Sequence, residues 1–184
     1  MVFIRIKKVK GKEYAYIVQN EWKKTAKSVG ALQVNNRKTG SRQKVIGYLG
    51  RAYRFKLDNN ISFLEYMKIE NFDTYPGCKD NRSIFNDLIE WELLKFGVNR
   101  QEYAIDLNYT TIHKNKRGAV LLVNDGFMCG CTLKKLIEFK PVGDEQADGY
   151  QFAKAFVEAG INVPHEVFVA LFGKLYKQLD KSSV

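Results

Sequence analysis

The chain has 184 residues, 45% of them hydrophobic and 13% aromatic, with 30 Lys and Arg against 20 Asp and Glu. That much apolar material can bury a core, which argues against global disorder, and no apolar run approaches the roughly 20 residues of a membrane helix. Half of the 30 cations fall in residues 2–56, where Glu13 and Glu21 are the only acids, so the net charge of +10 is gathered at one end.

A one-sided cationic block mixed with tyrosines is the electrostatic footprint of a polyanion-binding surface, most often for nucleic acid. Three cysteines without a disulfide-like spacing fit a reducing, cytoplasmic setting. The opening Met-Val-Phe-Ile-Arg-Ile lacks the longer apolar core of a signal peptide, and no membrane association is expected.

Taken in order, Phe3–Val9 alternates apolar and basic residues, which is strand periodicity. Lys10-Gly11-Lys12 supplies a glycine turn, and Glu13–Trp22 a second strand rich in Tyr, Ile and Val. An even-length turn pairs odd positions of the first strand with even positions of the second. Arg5 and Lys7 then share a face with Tyr14 and Tyr16, while Ile4, Ile6, Ala15 and Ile17 form the core face. Arg42–Leu49 reads as a third strand ended by Gly50, with Lys44 and Tyr48 on one side and Val45 and Leu49 on the other. Between strands two and three lies Lys23–Ser41, polar and basic. It is long for a connection and is expected to be mobile or ordered by a ligand.

After Lys56 the character changes. Ser62-x-x-Glu65 is a capping box opening a helix through Lys68. Tyr75-Pro76-Gly77-Cys78 is a turn. Ser83–Phe96 is a strong helix, stopped by Gly97. Tyr103–Ile112 alternates like a strand, and Lys114–Gly118 turns the chain into a buried strand, Ala119–Val123, giving a second hairpin. Asn124-Asp125-Gly126 is a turn. Helices are predicted over Thr132–Phe139 and Glu145–Ala159, and from Pro164 to about Leu179. The last two resemble a helix-turn-helix in spacing. Yet Val167, Phe168, Leu171, Phe172 and Leu175 give the final helix an apolar stripe with few cations, so it reads as a packing hairpin.

Phe3-Ile4-Arg5, Lys12-Glu13-Tyr14-Ala15-Tyr16-Ile17-Val18 and Arg42-Gln43-Lys44-Val45-Ile46-Gly47-Tyr48-Leu49-Gly50-Arg51 together resemble the N-terminal module of some insertion-sequence transposases. In those, a K-x-Y-x-Y-ϕ-V strand precedes a basic strand ending in Y-L-G. The resemblance covers residues 3–51 and implies a small DNA-contacting β-module. The stretch Lys23–Ser41 replaces a short link, and no acidic triad of a transposase core follows.

Other chemistry has weaker signals. Cys129-Gly130-Cys131, with Cys78, His113 or His165, lacks the usual paired zinc-ligand spacing. Glu90 or Glu92, Asp106 and Asp125 stand in tolerable order for a metal-dependent nuclease. No Gly-rich phosphate loop, HExxH or GxSxG motif is present, and no cofactor is expected.

The sequence therefore predicts an α+β protein. A basic three-stranded antiparallel module (residues 1–56) precedes a helix-rich domain with one internal β-hairpin (residues 57–184). The expected function is non-enzymatic binding of DNA or of structured, including ribosomal, RNA. The candidate contacts are Arg5, Lys7, Tyr14, Tyr16, Lys23, Lys24, Lys27, Arg37, Lys38, Arg42, Lys44, Tyr48 and Arg51. The helical part would support the sheet, dimerise or dock a protein partner. An adaptor whose basic end meets an acidic protein and a metal-dependent nuclease stand as alternatives.

Overall fold

The computed structural model describes residues 2–22, 41–70, 72, 75, 77, 79–108 and 110–182. Among these residues it contains, in chain order, β1 (Val2–Val9), β2 (Lys12–Trp22), β3 (Ser41–Arg54), α1 (Phe63–Met67), α2 (Asn81–Lys95), β4 (Tyr103–Asp106), β5 (Thr111–Lys114), β6 (Arg117–Val123), β7 (Gly126–Met128), α3 (Gly130–Ile137), α4 (Glu145–Ala159) and α5 (His165–Ser182). The α+β class agrees with the patterning. The sheet does not: instead of three strands and a separate hairpin, seven strands form one sheet ordered β1-β2-β3-β6-β5-β4, with β7 also on β6.

The β1–β2 hairpin follows its sequence closely. Lys10 and Gly11 both have positive φ, 49° and 76°, the backbone that matches a two-residue turn to strand twist. The resulting ladder sets Arg5 opposite Tyr16, Lys7 opposite Tyr14, Ile4 opposite Ile17 and Ile6 opposite Ala15. Both faces fall as parity predicts.

Strand β3 departs from expectation because Gly50 does not end it. Gly50 has φ 129°, and a Cβ there would lie 2.1 Å from the Gly118 carbonyl oxygen. The missing side chain lets β3 pass close to β6 and continue. Arg51, Ala52, Tyr53 and Arg54 then pair in parallel with Ala119, Val120, Leu121 and Leu122. A parallel pair needs a long crossover, and the chain from α1 to β5 supplies it. The sheet thus runs across the boundary expected at residue 56.

Two further differences are local. The stretch read as one strand over 103–112 splits into β4 and β5, with Thr110 at φ 50° in the intervening turn. Strand β7 follows the Asn124-Asp125 turn and has three residues, too few for a periodic signal.

The helix signals place most ends correctly. Ser62 and Glu65 form the reciprocal capping box of α1. Asp80 caps α2 through the Ser83 N–H (2.9 Å), starting it slightly before the predicted position. Asp144 caps α4, and Gly160 at φ 75° ends it. No helix among the described residues is long and apolar enough to cross a membrane.

Two cores flank the sheet. The larger joins Ile84, Phe85, Leu88 and Ile89 of α2 to Leu121 and Val123 of β6, Phe152 and Phe156 of α4, and Val167 and Leu171 of α5. The apolar stripe of α5 is spent on this packing, as its composition indicates. The smaller core holds Ala15, Ala52, Val120, Leu122 and Cys129, with Ile4, Ile6, Leu49, Phe127 and Cys131 packed on it.

Glu92 is fully buried, and its carboxylate joins three segments. It accepts from Lys95 Nζ (3.2 Å), from the backbone N–H of Asn162 (2.8 Å) and from Asn124 Nδ2 (3.3 Å). Asn124 Nδ2 also donates to the Gly160 carbonyl at 2.8 Å. The nearly buried Lys95 lies 4.1 Å from the centre of the Trp91 ring. A buried carboxylate is tolerated here because its lone pairs are met by a cation and two N–H donors.

Candidate nucleic-acid interface

Two bulges in β3 build the face that carries the tyrosines. Along β2, Ala15 pairs with Gly50 but Tyr16 with Tyr48, so Leu49 is an extra residue. Ile17 pairs with Gly47 but Val18 with Val45, so Ile46 is a second one. Each bulge shifts the alternation by one position and increases local twist. The bulge at Leu49 puts Tyr48 on the same face as Arg51, three residues on, and sends Leu49 into the smaller core.

The outcome is a continuous patch of cations and phenol rings. Tyr48 is 59% exposed. Its ring centre lies 5.3 Å from that of Tyr16 and 6.4 Å from that of Tyr14. Lys7 Nζ sits 5.1 Å from the Tyr16 ring centre, and the Arg51 guanidinium 4.9 Å from that of Tyr53. Lys114 Nζ lies 5.1 Å from the Tyr53 ring and 4.3 Å from the Tyr103 ring. Arg117 pairs with Lys114 in the β5–β6 ladder and is exposed. The patch crosses β1, β2, β3, β6 and β5.

The charges are not equally free. Arg5 donates to the Gln43 side chain, whose oxygen cannot neutralise it. Glu102 and then the Tyr103 hydroxyl hold the Lys114 ammonium up to about 12, so it is a cation already engaged. Burial, followed by the neighbouring phenols of Tyr16, Tyr14 and Tyr53, raises the Tyr48 hydroxyl, and Arg117 pulls it down. Tyr48 is therefore a neutral ring at physiological pH, suited to stacking and hydrogen bonding.

Arg5, Lys7, Tyr14, Tyr16, Tyr48 and Arg51 come together as the sequence predicts. Arg42 and Lys44 do not join them. They pair with Glu21 and Gln19, and Lys44 Nζ contacts the Glu21 carboxylate at 3.5 Å. The bulge at Ile46 turns this end of β3 over, so Lys44 and Tyr48 lie on opposite faces. Lys23, Lys24, Lys27, Arg37 and Lys38 lie outside the described residues. Tyr53, Lys114 and Arg117 adjoin the same patch without a local sequence signal that places them there. Arg51-Ala52-Tyr53-Arg54 does continue the strand alternation, but Gly50 reads as its end.

The other candidate groups are dispersed. Glu90 is paired with Arg100 at 3.1 Å, and Glu92 is committed to the buried network. Asp106 and Asp125 are exposed on separate turns or strand ends. Among the described residues no three His, Cys, Asp or Glu side chains gather as a metal site. Cys78 lies outside those residues.

No protein-family model, curated protein or solved structure matches this chain.

Proposed function

We propose that the protein binds nucleic acid, without catalysis, through the face formed by Arg5, Lys7, Tyr14, Tyr16, Tyr48, Arg51, Tyr53 and Arg117. The observation that carries this reading is Tyr48, exposed beside the Tyr14 and Tyr16 rings, with Lys7 over the Tyr16 ring and Arg117 acting on the Tyr48 hydroxyl. Cations neutralise phosphates and release counterions. Rings at the surface stack on unpaired bases or pack on sugars. Either a β-ribbon in a DNA groove or a sheet on structured RNA uses these groups. The resemblance of residues 3–51 to a transposase module favours DNA. The basic segment 23–41 would extend the contact.

Titration of labelled duplex DNA and labelled hairpin RNA at two salt concentrations tests the proposal. Binding weakens steeply with salt, and reversing Arg5 and Lys7 to Glu weakens it further. Lys177→Glu, on the helical side, has little effect. Equal effects of the two changes, or affinity without salt dependence, would remove the sheet from this role.

A further inference from the structure

Cys129 and Cys131 are absorbed by none of the foregoing. They flank Gly130 at the start of α3, and their sulfurs lie 3.2 Å apart. Cys129 is the N-cap residue and is 1% exposed. Cys131 is half-buried and opens onto a cleft of about 390 Å³. The walls of that cleft include Phe3, Ile4 and Ile17 of the hairpin, Phe127 of β7, and the Lys135–Glu158 ion pair (2.6 Å). The volume lies within the range of small-molecule sites. Gly130 is required between the two thiols, because a Cβ there would stand 2.4 Å from the Thr110 carbonyl oxygen. The Thr132 hydroxyl accepts from the Cys129 N–H at 3.1 Å and donates to the Phe127 carbonyl, which fixes the turn that holds both sulfurs.

We propose that Cys129 and Cys131 are a redox-active dithiol, oxidised to an intrachain disulfide by exchange with a low-molecular-weight disulfide that enters this cleft. In its singly deprotonated form the pair holds one proton between two sulfurs 3.2 Å apart. The Cys131 thiol and the N–H groups of Thr132 and Cys131 stabilise negative charge on Cys129, which lowers that thiol and raises Cys131. Only Cys131 faces the entering molecule. Its proton passes to Cys129 as its sulfur attacks the disulfide RS–SR. A Cys131–S–S–R bond forms and RS⁻ leaves. Cys129 then gives its proton to that RS⁻ and attacks the Cys131 sulfur, forming the Cys129–Cys131 bond and displacing a second RS⁻. Two electrons pass from the protein to the oxidant, which departs as RSH and RS⁻. The sulfurs need to close by only about an ångström to reach the roughly 2.05 Å of a disulfide. The tight ring and the stabilised thiolate both favour the reduced form, which makes the pair reducible and suited to cycling. The inference is independent of the nucleic-acid proposal.

The test uses the full chain, equilibrated in glutathione buffers of increasing disulfide fraction, acid-quenched, alkylated and peptide-mapped by mass spectrometry. The expected result is conversion of the Cys129–Cys131 peptide from doubly alkylated to internally crosslinked, reversed by added thiol. In a Cys129→Ser chain, glutathione accumulates on Cys131. Free alkylation of both cysteines at every ratio overturns the proposal. So does a disulfide to Cys78 instead, or glutathione that persists on Cys131 of the unsubstituted chain.

Discussion

The two ends of the sheet are stabilised by different means. Around β4–β6 the strands are covered by helices, and side chains from α2, α4 and α5 pack into one large aromatic core. Around β1–β3 one face meets a small core of Ala15, Ala52, Val120, Leu122 and Cys129, and the other is partly open, with Tyr48 and Arg51 exposed and Tyr53 resting on the larger core. The strand ladders hold this end, and its most exposed ring, Tyr48, has little packing to do. The charge follows the same division. Ion pairs are more frequent at the helical end, as in Lys79–Asp87, Lys95–Glu92 and Lys135–Glu158, whereas Arg5 is bonded to a neutral amide. A face relieved of structural duty can be specialised for a ligand.

Substitutions can break this contrast, and the largest effect belongs to the helical end. Glu92→Ala leaves Lys95 buried without its anion and deprives Asn162 and Asn124 of an acceptor. A loss of about 3–5 kcal/mol is expected, read as a lower midpoint in urea unfolding. A Glu92→Ala chain as stable as the parent would mean that the network holds nothing together.

The junction comes next. Gly50→Val puts a branched side chain into the Gly118 backbone at a positive φ, and the expected cost is about 3 kcal/mol. Hydrogen exchange locates it: amides of β3 and β6 lose protection first, and those of α4 and α5 last. Uniform loss of protection would mean that the two ends unfold as one unit.

The exposed face should separate binding from stability. Tyr48→Ala is expected to change unfolding by no more than about 0.5 kcal/mol while weakening nucleic-acid binding by about 1–3 kcal/mol. A large drop in stability would make Tyr48 a packing residue.

The smallest effect is one of pH. Burial opposes ionisation of Asp148, yet the Tyr176 hydroxyl (2.8 Å) and the N–H groups of Gly143 (3.0 Å) and Val142 (2.8 Å) outweigh it and lower the carboxyl. A lowered carboxyl stabilises the fold above its ordinary value of roughly 4, and this support is lost as pH falls through the lowered value. Asp148→Asn removes that part of the acid dependence. Identical stability–pH curves for the two chains would assign the acid sensitivity to other groups.

Local chemistry was largely legible in the sequence. The Lys10-Gly11 turn fixed the hairpin register, and with it the faces of Arg5, Lys7, Tyr14 and Tyr16. Ser62, Glu65 and Gly160 marked helix ends by their capping roles. What pattern could not supply was long-range pairing. Gly50 looks like a terminator to any local rule, and only the approach of Gly118 explains why the strand passes through it. The bulges at Ile46 and Leu49 are equally hidden, since an extra residue leaves the apolar spacing plausible while reversing a face. Alternation alone therefore puts Lys44 on the tyrosine side, and it gives no sign that Tyr53 and Arg117 adjoin that face. The Cys129–Cys131 contact depends on a helix start at Gly130, two residues earlier than composition indicates.

The parallel pairing of β3 with β6 also bears on biosynthesis. Translation completes β1, β2 and β3 well before β6 exists, so an unpaired strand edge waits in the presence of other nascent chains. Distant pairings of this kind form slowly. During that interval the many lysines and arginines of residues 2–56 repel like segments and discourage edge-to-edge association. The same cations that are proposed to meet a polyanion in the finished molecule would thus act first as a guard against aggregation, and neutralising them should lower the yield of soluble protein even where the folded state loses nothing.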